Sequence, residues 1–423
     1  MAIKNLDDKI RAYALKNAVA YGGKANPGAV VSALFNEGLE KSSVKDVMPK
    51  IQKEIREIGK LDSKEQKKEL EKMDKFLSER EVREGLPELP NVSKGIRTRF
   101  APSPSGALHI GHAATLCVAY AYVKKYGGKL YVRIEDTNPE NIFPDAYKLI
   151  EKDAKWLTEG NCVIIIQSDR MELYYKYAEK LMKNGHAYVC TCTGDDFREF
   201  VKKKKDCPCR ELSIKENQQR WKDMLAPQAY PDKSSKKIST GSNKKGFSAG
   251  EAILRFKTPE NHGGMTNPNP AMRDFPLARI NETKHPRQKN KYRVWPLMNL
   301  SVAVDDMDMK LTHIIRGKDH RDNAKRQEMI YEVLGKEVPW TGFQGKWKFS
   351  DLELSSSKIT EEIKSGKYSG WDDPKLPTVS ALKKKGYTPE AFLKLAENRG
   401  LSEVDKVIDK KDYFEMLDNF NKK

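Results

Sequence analysis

Residues 96–184 alternate between short apolar runs and helix-length amphipathic segments, and this alternation narrows the possible folds more than any other feature. Ile96–Phe100 reads as a strand, 113–126 as a helix closed by Gly127-Gly128, and 129–136 as a second strand. A helix over 144–157, a strand over 163–167 and a helix over 169–184 follow. Strands separated by helices of this length predict an α/β fold, with a parallel sheet joined by right-handed crossovers. After Val189 the alternation stops, and 190–290 reads as an insertion containing a polar loop at 233–246. It resumes at 312–320, which runs from strand to turn to helix, and from Ser350 the chain reads as loop and helix.

Residues 1 to about 80 show a different pattern. Ile51, Ile55 and Ile58 recur at helical spacing, with Pro49 expected in the first turn. Asp62 with Glu65 signals a second helix start, followed by Leu70, Met73 and Leu77 on one face. The Pro-, Gly- and Asn-containing stretch 83–95 reads as a linker. The expected organisation is a helical domain and linker at 1–95, then a sheet domain at 96–189. An inserted domain at 190–290, the rest of the sheet domain at 291–349 and a helical segment at 350–423 complete it.

No apolar run reaches the roughly 18 residues a membrane helix needs, and residues 1–24 lack an uninterrupted apolar segment. A cytosolic monomer with no membrane partner is expected. The formal net charge of +18 suits a polyanionic partner such as nucleic acid, although lysine is scattered along the whole chain.

The stretch RFAPSPSGALHIGHA, from Arg99 to Ala113, places His109 and His112 where a helix should begin at the carboxyl end of the first strand. Ligands gather at such strand ends, and a helix start offers free N–H groups to a phosphate. Gly111 leaves room for a flat ring, and two imidazoles can donate to phosphate oxygens as charge shifts. A nucleotide site therefore competes with ordinary polar residues at a helix start, or with a single metal ligand.

With KLYVRIEDTNPE, NPAMRDFPLARI, YRVWPLMNLSVAVDDMDMKLTHIIRGKDHRDN and YSGWDDPKLPTVSALKKKGYTPEA, this stretch resembles the class I aminoacyl-tRNA synthetases, in the version carried by glutamyl-tRNA synthetases of archaeal type. RIED resembles the glutamyl form rather than the glutaminyl one. The resemblance implies a Rossmann-like parallel sheet domain with an inserted acceptor-stem-binding domain, an N-terminal helical domain and a C-terminal helical segment. It implies that ATP, with Mg²⁺, meets His109, Gly111 and His112. It also implies that glutamate meets Arg99, Ser103, Glu135 (through its ammonium) and Arg316, and that the acceptor arm of a tRNA is the macromolecular partner. Arginine's planar fork suits a dicarboxylate substrate. The family's second signature, KMSKS, corresponds to Glu353-Leu354-Ser355-Ser356-Ser357-Lys358, where Glu353 and Ser356 replace lysines. Lys358, with Ser355, Ser356 and Ser357, is expected at the triphosphate. Met298 stands where bacterial members carry a tyrosine.

Cys190-Thr-Cys192 and Cys207-Pro-Cys209 place four of the six cysteines in one short window. Four thiolates could cage a structural Zn²⁺, and four free thiols are the competitor in a reducing compartment. The short loop that such a cage would fold carries Lys202 to Lys205 and Arg210, and its basic run is either a phosphate contact or a solvated face. In the archaeal branch an anticodon-binding β-barrel region follows the helical segment. The sequence runs to Lys423, where that region would begin, so anticodon reading is not expected of these residues. A tRNA-modifying glutamyl transferase, or a synthetase that also charges tRNA for glutamine, is the alternative function.

Overall fold

A computed structural model describes residues 3–78, 85–227 and 246–422; the expected polar loop at 233–246 falls outside them except for Gly246. The chain divides into two compact units, at residues 83 and 84.

The first unit contains the helices Leu6–Ala20, Pro27–Asn36, Val44–Ile58 and Ser63–Met73, packed around Ile10, Leu15, Leu34, Ile51 and Ile58. Asp62 and Glu65 close a reciprocal capping box, which satisfies two N–H groups that the helix start would otherwise leave unpaired. Pro49 sits inside its helix rather than in the first turn, because the 3-10 turn Lys41–Ser43 runs on into a helix that begins at Val44. A proline there cannot donate the usual backbone bond.

The second unit holds the sheets. β1 (Ile96–Phe100), β2 (Gly128–Ile134) and β3 (Val163–Ile166) run parallel in that order. β4 (Ala187–Cys190), β5 (Ile253–Phe256), β6 (Pro276–Ile280) and β7 (Val294–Pro296) form an antiparallel sheet. β8 (His313–Gly317) pairs parallel with β9 (Trp340–Gln344), and β10 (Trp347–Phe349) pairs parallel with β11 (Lys406–Ile408). The segment after Ser350 therefore contains a strand as well as the expected helices, because Lys406–Ile408 finds an open edge at β10.

The Thr312 N–H, just before β8, donates to the Arg97 carbonyl at 2.9 Å, so β8 lies beside β1. The strands thus run β9-β8-β1-β2-β3, and the winding reverses between β8 and β1. Reversal leaves a crevice at the carboxyl ends, which is where open α/β sheets bind ligands.

The helix Ile110–Tyr126 buries residues on nearly every side, since it lies between the sheet and the helix Pro389–Arg399. Its chain then turns into β2 through Gly128, at φ +126°, where a Cβ would lie 1.9 Å from the Ile96 carbonyl oxygen. Residues 85–95 are a strap rather than a free linker. Leu89 is buried, its N–H donates to the Tyr126 hydroxyl, and the Tyr122 hydroxyl donates to the Pro87 carbonyl. No helix among the described residues is long and apolar enough to cross a membrane.

Candidate active site

His109 is the N-cap of the helix Ile110–Tyr126, one position ahead of the first turn in which the sequence placed it. Its Nδ1 accepts from the Gly111 N–H at 3.1 Å and the His112 N–H at 3.4 Å, while His112 Nδ1 accepts from the His109 N–H at 3.4 Å. The rings stack with centroids 3.8 Å apart. Burial lowers the pKa of both imidazoles, that of His112 to about 4, and the neighbouring ring lowers His109 further. Both are therefore neutral at pH 7. With each Nδ1 engaged as an acceptor, the proton resides on Nε2. Two Nε2–H donors of fixed tautomer stand at the helix mouth.

The crevice between β8 and β1 is a cavity of about 280 Å³ whose lining includes Arg99, Ser103, Glu135, Met298, Arg316 and His320. Its polar walls come from strand ends: Arg99 from β1, Glu135 just past β2, Arg316 from β8. Beneath them Arg133, wholly buried, donates to Glu135 at 2.8 Å and to Asp306 through a short bond. Arg99 Nε lies 3.7 Å from the same Asp306, and Arg99 Nη1 donates to the Ile315 carbonyl at 3.3 Å. Arg316 has no carboxylate partner among the described residues and donates to the neutral Gln327 amide oxygen at 2.8 Å. Burial, then repulsion from Arg99, lowers the Arg316 pKa to about 10, which leaves it charged at pH 7. The Nε atoms of Arg99 and Arg316, Asp306 Oδ2 and the Tyr331 hydroxyl are buried without a hydrogen-bond partner. Unsatisfied buried cations are costly, so a pocket built this way is suited to an anion.

The segment Glu353–Lys358 packs on the same helix mouth. Leu354 lies 3.2 Å from where a Gly111 Cβ would be, Ser356 is buried with its hydroxyl toward the Ala107 carbonyl at 3.4 Å, and the Thr360 hydroxyl donates to the Ser105 carbonyl at 3.2 Å. Ser355 caps the helix Ser356–Lys364 by accepting from the Lys358 N–H at 3.3 Å. The Lys358 ammonium pairs closely with Glu353, the residue at the position of a family lysine.

The four sulfurs of Cys190, Cys192, Cys207 and Cys209 lie within 4.8 Å of one another. Arg210 is buried, pairs with Asp274 at 2.9 Å and donates to the Thr258 carbonyl at 2.9 Å. Lys202, Lys203, Lys204 and Lys205 are exposed.

Residues 95–421 match the family of tRNA synthetases class I (E and Q), catalytic domain. The chain belongs to that family. It is 42% identical to the glutamate–tRNA ligase of Methanocaldococcus jannaschii over 95% of its own length and 68% of the relative's. It is also 42% identical to the glutamate–tRNA ligase of Pyrococcus abyssi, over 94% of this chain and 67% of that one. The chain thus spans about two thirds of the length of these relatives. Among solved structures it is similar to a glutamate tRNA ligase from Elizabethkingia meningosepticum in complex with its amino acid. That match has a TM-score of 0.47 and 20% identity, covering 76% of this chain and 64% of the other.

Within this synthetase domain the structure brings Arg99, Ser103, Glu135 and Arg316 to one cavity, and His109, Gly111 and His112 together beneath Leu354. Lys358 is paired with Glu353 on the segment that packs at this helix mouth. Sequence reading missed Arg133, Asp306 and Gln327, whose importance comes from partners 173 and 11 residues away. Only the adjacent acids in VAVDDMD, on an otherwise apolar helix face, hinted at Asp306.

Proposed function

We propose that this chain activates glutamate with ATP and transfers it to tRNA for protein synthesis, as a class I glutamate–tRNA ligase. The observation that carries this reading is the buried pair Arg99 and Arg316, short of carboxylate partners, facing Glu135 across one cavity at the sheet's switch point. The substrate's side-chain carboxylate would lie between the guanidiniums, and its ammonium against Glu135.

The α-carboxylate then attacks the α-phosphorus of ATP in line. A new O–P bond forms as the bond to pyrophosphate breaks, giving glutamyl-adenylate. The Nε2–H donors of His109 and His112 stabilise the phosphate oxygens while charge builds. Neutral rings suit this role, since they donate without taking the proton away. A ribose hydroxyl of the tRNA's terminal adenosine next attacks the activated carbonyl and AMP leaves. Class I synthetases use ATP with Mg²⁺, which neutralises phosphate charge. Mg²⁺ would come bound to the triphosphate of the nucleotide, as this cation commonly does in such sites.

The cysteines fit a structural Zn²⁺. Cys190 and Cys207 sulfurs stand 3.9 Å apart, and those of Cys192 and Cys209 stand 4.0 Å apart. Tetrahedral Zn–S bonds of about 2.3 Å require edges of about 3.8 Å. The Thr191 N–H at 3.5 Å and Arg220 Nη1 at 3.4 Å donate to Cys209, as expected around a thiolate that holds a metal. Purification without chelator should give about one zinc per chain; protein free of zinc would reject the metal. The exposed Lys202 to Lys205 on the same loop would meet acceptor-arm phosphates.

ATP–pyrophosphate exchange with glutamate, glutamine or neither, with and without tRNA, tests the activity. Exchange that depends on glutamate is expected. No exchange under any condition would reject the reading, and exchange with glutamine alone would reject the substrate.

A further inference from the structure

Five ionised groups surround the amino-acid cavity and interact with one another: the guanidiniums of Arg99, Arg133 and Arg316, and the carboxylates of Glu135 and Asp306. Asp305 is shared between Arg170, 2.7 Å away, and Arg133, 3.7 Å away, and Arg170 also pairs with Asp308 at 2.7 Å. His320, at the cavity wall, is neutral at pH 7 because burial and the nearby arginines lower its pKa. One positive charge at the cavity wall is nonetheless left without an ion pair: that of Arg316, the one member of the five with no oppositely charged partner within ion-pair distance among the described residues.

What holds Arg316 is an uncharged acceptor. Gln327, on the helix Arg321–Val333, is buried and takes the Arg316 Nη1 hydrogen on its amide oxygen. Its amide nitrogen points to Asn299 Oδ1 at 3.4 Å, which fixes the flip so that oxygen, not nitrogen, faces the guanidinium. The Asn299–Gln327–Arg316 chain positions the fork but leaves its charge uncompensated. A carboxylate at the same place would position it equally well and neutralise it.

We propose that Gln327 is a specificity-determining positioning residue: it aims Arg316 into the cavity through a neutral hydrogen bond, so that only an ionised side chain completes the pocket's charge balance and a neutral amide side chain does not. The inference rests on the glutamate-activating reading above. Specificity here is a difference between two ligands of equal shape, decided by one uncancelled charge. Glutamine would fill the cavity sterically yet leave the guanidinium buried without an anion, which low-polarity surroundings penalise.

The test is Gln327→Glu, which keeps shape and supplies the missing negative charge, beside Gln327→Met, which removes the acceptor but adds no charge. Pyrophosphate exchange is measured against glutamate and glutamine concentration, with tRNA present. For Gln327→Glu the glutamate KM should rise on the order of tenfold or more, as for loss of a buried charge pairing. Its kcat should fall less, and its preference for glutamate over glutamine should shrink or reverse. Gln327→Met should raise the glutamate KM while keeping that preference, since the unpaired charge survives. A Gln327→Glu enzyme with unchanged glutamate KM and selectivity would overturn the proposal. So would equal loss of selectivity in both variants, which marks a merely structural role. Should Gln327→Glu fail to fold, Gln327→Met decides: an unchanged glutamate KM, or lost selectivity, overturns the proposal. Wild-type protein without glutamate-dependent exchange would instead reject the underlying activity, so the two failures are separable.

Discussion

Replacing His112 should remove a defined part of the protein's acid sensitivity. The imidazole is half-buried against His109 and the helix start, and its pKa is lowered to about 4 from an ordinary 6.5. As pH falls, the unfolded chain binds this proton near pH 6.5 but the folded chain does not until near pH 4. Stability from this group is intact above about pH 6.5, declines as pH falls, and levels off below about pH 4. At pH 5 the linkage expression RT ln[(1+10^1.5)/(1+10^−1)] gives a loss of about 2 kcal/mol relative to neutral pH. That is an upper figure, since solvent at the ring's open edge screens part of the cost. His112→Gln keeps an acceptor for the His109 N–H and does not titrate. Urea unfolding can be followed by tryptophan fluorescence, and all six tryptophans belong to the second unit. Between pH 7 and pH 5, wild type should lose up to about 2 kcal/mol more than His112→Gln; contributions from groups distant from the ring cancel, and His109, whose pKa the His112 ring helps to lower, adds to the difference. Equal losses in the two proteins would refute the reasoning, as would an NMR titration of His112 with a midpoint near 6.5. For the proposed activity, the activation rate should show no inflection near pH 6.5 from this ring.

Asp306→Asn removes the carboxylate under Arg133 and near Arg99 without changing volume, leaving the buried Arg99 without its anion and Arg133 with Glu135 and the more distant Asp305 alone. Unfolding free energy should fall by about 3–5 kcal/mol, and a change below about 1 kcal/mol in urea titration would argue against a buried pair. Gly106→Ala places a methyl 2.2 Å from a Trp371 ring carbon. It should cost about 1–3 kcal/mol and make the segment after Ser350 easier to cleave by protease, whereas an unchanged digest would contradict the packing. Glu353→Gln frees the exposed Lys358 ammonium from its intramolecular partner. A modest fall in the ATP KM with the glutamate KM unchanged is expected in exchange kinetics, and a rise would mean that Glu353 assists nucleotide binding.

The alternation over residues 96–184 was legible because each parallel strand needs a crossover, which leaves a long periodic trace in the chain. The histidine-bearing helix start and the cysteine pairs were legible because their members are close in sequence. Arg133 and Gln327 were not, because an arginine inside VRIED or a glutamine on a polar helix looks like any surface residue until its distant partner is placed. The pairing of Lys358 with Glu353 and of Arg210 with Asp274 was hidden for the same reason. Glu353 and Asp274 decide the charge environment of those cations, and sequence does not say which acid a long side chain will reach.

Periodicity, caps and local motifs, which depend on neighbours a few residues apart, were thus settled by sequence alone: the α/β alternation, the capping box at Asp62, the imidazole pair, and the family signature. Tertiary structure alone decided the charge state of the cavity. The placing of β8 beside β1 brings residues 99, 133, 135, 306, 316 and 327 to one buried point, and electrostatic interaction at that point depends on distance through a low-dielectric interior, not on separation along the chain.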